Sequence, residues 1–98
     1  MIPFREDKLA VVLPPNHPLA AKSKVAMAAV ATQPFIAFDR EAPTRKGIDR
    51  VFRDKGLELA PAMEMDNVET IKRAVELGLG LSVLPLPTVK QEVALGTL

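Results

Sequence analysis

The sequence predicts an α/β domain built on a mostly parallel sheet flanked by helices. Short apolar runs bounded by Pro or Gly alternate with stretches of helical spacing, in the order strand, helix, strand, helix, strand, helix, strand. A length of 98 residues is that of one domain. Hydrophobic residues at 48% and charged residues at 26% supply both a core and a wettable surface, which argues against disorder.

The elements follow in chain order. Lys8-Leu9-Ala10-Val11-Val12-Leu13, stopped by Pro14-Pro15, reads as a strand buried on both faces. Asn16-His17-Pro18 reads as a turn, because a residue before Pro avoids the helical region. Val25–Thr32 is alanine-rich and reads as a short helix without a good N-cap. Pro34-Phe35-Ile36-Ala37-Phe38 is the second strand and Asp39–Pro43 a polar loop.

Thr44 is placed to cap the next helix. Ile48, Val51 and Phe52 make its apolar stripe, while Arg45, Lys46, Asp49, Arg50 and Arg53 fall mostly on the solvent side. Gly56 sits where a left-handed stop is expected. The third strand lies within Leu57–Met65, beginning after Pro61. Asp66 and Glu69 have capping-box spacing ahead of a helix whose inner face is Val68, Ile71, Ala74 and Val75. Glu69 with Arg73, and Lys72 with Glu76, are spaced for ion pairs. Gly78 and Gly80 end that helix, and Leu81–Leu84 is the fourth strand, closed by Pro85 and Pro87. Thr88–Val93 reads as a last helix and Gly96-Thr97-Leu98 as a frayed end.

Composition removes several function classes. Thirteen basic and twelve acidic residues are mixed along the chain, and the aromatics are four Phe without Tyr or Trp. A nucleic-acid surface needs a basic stripe interleaved with aromatics, so direct DNA or RNA contact by this segment is not expected. One His and no Cys exclude a disulfide framework and argue against structural zinc, so neither a metal site nor a cofactor is expected. The apolar runs are too short to span a bilayer. Met1–Arg5 lacks the basic-then-apolar order of a signal peptide, which points to the cytoplasm.

Three stretches together resemble a known family. They are Val11–Ala20, with its His17-Pro18-Leu19-Ala20 turn; Gln33–Phe38 followed by Arg45 and Gly47–Phe52; and Asn67–Lys72 through Val75–Pro85, with Gly78-Leu79-Gly80-Leu81-Ser82-Val83-Leu84-Pro85. Their order and spacing resemble the effector-binding domain of LysR-type transcriptional regulators. The resemblance implies one lobe of a type 2 periplasmic-binding-protein-like fold over residues 1–98, with the DNA-binding helix-turn-helix and most of the other lobe outside the chain. It implies a small-molecule effector bound between two lobes, a homodimer or homotetramer as the working form, and DNA reached only through the helix-turn-helix. A transporter's substrate-binding protein shares this fold and is the alternative.

The candidate effector-binding residues lie where ligands sit in open α/β sheets, beyond the strand ends and at helix N-termini. They are Phe38, Asp39, Thr44, Arg45, Asp66 and Asn67. All but Asp39 also have a plainer reading: Phe38 as core, Thr44, Asp66 and Asn67 as caps, Arg45 as a solvated helix residue. Arg45 and the helix N-termini favour an anionic effector. No catalytic residues are expected. His17 reads as a turn residue, and neither Ser23 in a Lys-flanked loop nor Ser82 in an apolar strand is spaced to join it in a nucleophile triad. Gly78-Leu79-Gly80 follows a helix and lacks the Lys-Ser/Thr ending of a phosphate loop. A third reading, an enzyme on the same two-lobed scaffold, would use carboxylates in the cleft.

Overall fold

The computed structural model describes residues 2–3, 9–19 and 27–98. Met1, Lys8, Ala20, Ser23 and Val25, which the sequence reading used, lie outside the described residues. The elements are β1 (Ile2–Pro3), β2 (Leu9–Val12), α1 (Met27–Ala31), β3 (Ile36–Phe38), α2 (Pro43–Asp54), β4 (Met63–Met65), α3 (Val68–Glu76), β5 (Ser82–Pro85), a 3₁₀ turn (Leu86–Val89) and α4 (Lys90–Leu95).

β3 and β4 pair in parallel, with Phe38 opposite Met65. A parallel bridge between Phe35 and Leu81 joins β3 to β5. It is held by Ile36 N–H donating to Leu81 O at 2.8 Å and Leu81 N–H donating to Pro34 O at 2.9 Å. β2 lies antiparallel to β5, with Val11 opposite Val83, and antiparallel to β1 on its other side. The spatial order is therefore β1-β2-β5-β3-β4. Parallel pairing holds for β5, β3 and β4. β2 departs from it, and its sequence could not announce this: helices cover both of its faces, so an antiparallel strand carries the unbroken apolar run usual for a parallel one.

Side chains alternate across the strands and sort into two cores. Leu9, Val11, Leu13, Phe35, Ala37, Leu81 and Val83 face one side, where Val30 of α1 and Ile48 and Phe52 of α2 cover them. Val12, Ile36 and Leu84 face the other, under Ile71, Ala74 and Val75 of α3, with Val89 and Leu98. Helices thus cover both faces of one sheet. Phe35 and Phe52 meet edge to face, centroids 5.9 Å apart and planes at 82°. Gly80 makes the strand crossing possible: a Cβ there would stand 2.8 Å from Pro34 O. Ser82, buried in β5, donates to Ile36 O at 2.7 Å, so its hydroxyl is satisfied within the sheet.

Several local expectations change. α2 begins at Pro43 with Ala42 as N-cap and no side-chain cap, so Thr44 does not cap it. Pro at the first helical position has φ preset and lacks only an N–H that would have been unpaired there. Asn67, not Asp66, caps α3, accepting from the N–H groups of Glu69 at 2.8 Å and Thr70 at 3.3 Å. Lys72 turns inward instead of pairing with Glu76, and it takes Glu69 at 2.8 Å, Glu92 at 2.9 Å and Thr88 O at 2.8 Å. Among the described residues no Glu69–Arg73 ion pair forms, because Glu69 bonds Lys72 one turn away. The C-terminus is not frayed. Gly96 takes the left-handed cap of α4 at φ 80°, Thr97 N–H reaches Glu92 O, and Leu98 is buried in the second core. His17 sits in its turn as expected, its N–H donating to Pro14 O and its Nδ1 accepting from Leu19 N–H.

Candidate functional site

The parallel register of β3 and β4 sets Phe38 beside Met65, so the two loops that follow them emerge together. Asp39 N–H donates to Met65 O at 2.8 Å and locks that junction. Beyond it opens a depression of about 650 Å³ lined by Asp39, Arg40, Glu41, Glu64, Met65, Asp66 and Thr70. It lies past the carboxyl ends of both strands, the usual ligand position in open α/β sheets. The loop over it is a turn closed by Ala42 N–H to Asp39 O at 2.9 Å.

Of the residues expected from sequence, Asp39 and Asp66 line this depression. Phe38 is half-buried at its edge and packs against both cores. Asn67 stands next to Asp66 and uses its side-chain oxygen on the first turn of α3. The helix start is consequently not the open row of donors that the sequence suggested, since Asn67 already satisfies Glu69 and Thr70 N–H. Thr44 lies elsewhere, in a smaller groove with Leu9, Gly47 and Ile48.

Arg45 is the largest departure. It is not a solvated helix residue; only 7% of it is exposed. Its Nε donates to both oxygens of Asp49 at 3.0 and 3.1 Å, and Nη1 donates to Phe38 O at 2.9 Å and Glu64 Oε2 at 3.0 Å. Burial alone would lower its pKa, but the bonds and charges of Asp49 and Glu64 outweigh that and raise it. Arg45 thus pins α2 to the end of β3 and to β4, beneath the depression. The second buried cation, Lys72, is similar. Burial opposes its charge, yet bonds from Glu69 and Glu92 with their charges raise its pKa. The Lys72 bond is the chief reason that the Glu92 carboxyl is lowered.

Arg40, Glu41 and Met65, which also line the depression, fall within the stretches Phe38–Arg45 and Met65–Asn67 that the sequence points to without being among the six named candidates, whereas Glu64 and Thr70 lie outside those stretches. Arg40 and Glu64 form an ion pair at 3.5 Å. Their only sequence signal was proximity to the strand ends. Among the described residues no group of His, Cys, Asp and Glu is arranged to hold a metal ion, and no helix is long and apolar enough to cross a membrane.

The family model for the LysR substrate binding domain matches residues 1–98. The chain belongs to that family. It is 36% identical over 90 residues to the RuBisCO operon transcriptional regulator of Allochromatium vinosum, covering 92% of this chain and 30% of that protein. It is 34% identical over 96 residues to a probable RuBisCO transcriptional regulator of Cyanidioschyzon merolae, covering 95% of this chain and 32% of that protein. The chain therefore spans less than a third of the length of these relatives. Among solved structures it is similar to the regulatory domain of Synechocystis PCC6803 CcmR in complex with 2-PG, with TM-score 0.76 and 30% identity over 84% of this chain and 39% of that one. The BenM effector binding domain with its effector benzoate gives TM-score 0.69 and 27% identity, over 86% of this chain and 40% of that one. These LysR effector domains carry the periplasmic-binding-protein-like α/β fold that the sequence implied.

Proposed function

We propose that residues 1–98 form one lobe of the effector-sensing part of a LysR-type transcriptional regulator and contribute one wall of a small-molecule site. The observation that carries this is the placement of the depression. It lies beyond the paired ends of β3 and β4, in a chain matched throughout by the family model. Phe38, Asp39, Asp66 and Asn67 belong to that wall or its edge, Arg45 acts from beneath it, and Thr44 falls outside it. The effector is a small anion, a class to which 2-PG and benzoate, bound by the two similar structures, belong.

The second wall comes from another lobe, and binding biases the angle between the two. A ligand can do so only by its difference in affinity for the open and closed arrangements. That bias alters the geometry of a homodimer or homotetramer on DNA, reached through a helix-turn-helix belonging to the longer regulator, in the cytoplasm. The relatives being regulators favours this over a transporter's binding protein, and over an enzyme on the same scaffold. The test is a footprint of the full-length regulator on its operator across a panel of small anions. A change induced by one of them, lost on Thr70→Trp, which fills the depression with bulk and leaves its charge alone, without a fall in melting temperature, supports the proposal. Turnover of a panel member, abolished by depression substitutions, would replace it with the enzyme reading.

A further inference from the structure

We infer that Arg40 is the residue through which this wall selects an anion, and that Glu64 is an internal competitor for it. The inference rests on the proposed effector site and assigns its charge chemistry. The depression is lined by four carboxylates, Asp39, Glu41, Glu64 and Asp66, against one cation, Arg40. An anion entering it meets four like charges and a single opposite one, at Arg40.

The other sources of positive potential are already used. Arg45 is buried and directs Nε and Nη1 at Asp49, Glu64 and Phe38 O. The first turn of α3 has Glu69 and Thr70 N–H satisfied by Asn67. Arg40 is different, because its side chain is 74% exposed and its contact to Glu64 Oε1 is long, 3.5 Å. Glu64 divides its two oxygens, Oε2 going to buried Arg45 at 3.0 Å and Oε1 to Arg40. Arg45 holds Glu64 in place whether or not Arg40 stays. Detaching an exposed pair of this kind costs little. Arg40 can therefore turn to a planar carboxylate or a phosphate and meet it with two parallel N–H groups. Glu64 remains paired when it does so.

The experiment uses the full-length regulator, with 2-PG and inorganic phosphate as probes, calorimetry for affinity and a thermal melt for folding. Arg40→Gln should weaken the bound probe about tenfold or more, the loss of a bidentate charge-assisted contact, with the melt unchanged. Arg40→Lys should recover part of it. Glu64→Gln, which frees Arg40 and removes a repelling charge, should tighten binding about threefold. Wild type that binds a probe while Arg40→Gln binds it within about twofold would overturn the role of Arg40 and leave the sensing function standing. Glu64→Gln weakening the probe as much as Arg40→Gln would also overturn it, since the pair would then be a structural tie. Wild type that binds neither probe overturns the inference, while effector-dependent footprinting by another compound would keep the regulator reading.

Discussion

Replacing Arg45 by Met removes a buried guanidinium while keeping most of its aliphatic length. Three acceptors lose their donor: Asp49, Glu64 and the Phe38 carbonyl at the end of β3. Bonds to charged partners contribute about 1.5–3 kcal/mol when buried, and breaking a fully buried pair costs about 3–5 kcal/mol. The carboxylates here are not fully buried, with Asp49 and Glu64 side chains 34% and 35% exposed. Water can resolvate them once Arg45 is gone, so the loss should fall near 2–3 kcal/mol, between the exposed and buried limits. The guanidinium's own desolvation cost disappears in the variant, which pulls in the same direction. Urea unfolding of the chain, with equal slopes for both proteins, measures the difference. Arg45→Lys should regain less than half, because an ammonium cannot reproduce the fork to Asp49, Phe38 O and Glu64. A loss below about 0.5 kcal/mol would refute the reasoning, showing that the bonds only offset the cost of burying the charge.

Glu92 has its folded pKa lowered by Lys72, so its contribution is present above its unfolded pKa of about 4.3 and is lost as pH falls through the folded value. Glu92→Gln should flatten the acid limb of melting temperature against pH, and an unchanged limb would remove Glu92 from the account. Gly80→Ala drives a Cβ to 2.8 Å from Pro34 O at the β3–β5 junction and should cost about 1–3 kcal/mol in urea unfolding; a neutral substitution would contradict the packing there. Asn67→Ala should cost about 1 kcal/mol as a lost cap, whereas Thr44→Ala, which caps nothing, should stay within about 0.5 kcal/mol. With one wall of the site, the isolated 98-residue chain should bind effector weakly, and calorimetry giving micromolar affinity would contradict the division between lobes.

Most elements could be read from the sequence because their signals are local. Pro14, Pro34, Pro85 and the left-handed Gly56 and Gly78 stop elements where expected, and the apolar periods of α2 and α3 name the residues found in the two cores. The two buried cations were misjudged by residue type alone. Arg45 stands three and seven residues before Ile48 and Phe52, and Lys72 lies three before Val75, so spacing puts both on apolar helix faces. Long side chains can bury their stems there, and their charges then find acceptors from distant elements, Glu64 and Glu92. Those partners lie outside any local window. The same holds for the depression. Asp39 and Asp66 could be nominated from strand ends, but Arg40 and Glu64 join them only because β3 and β4 pair in parallel at Phe38 and Met65. The antiparallel β2–β5 pairing was hidden for a related reason, a strand covered on both faces carrying no mark of its direction.

On the function proposed above, this α/β unit senses a small anion on behalf of a DNA-bound regulator. Footprinting of the full-length protein on its operator, titrated with 2-PG and a panel of other small anions, tests it most directly. At least one anion should change the footprint, and Thr70→Trp, which fills the depression, should abolish that change while leaving DNA affinity and melting temperature intact. A footprint indifferent to every compound in the panel, or one whose response survives Thr70→Trp, would contradict the claim.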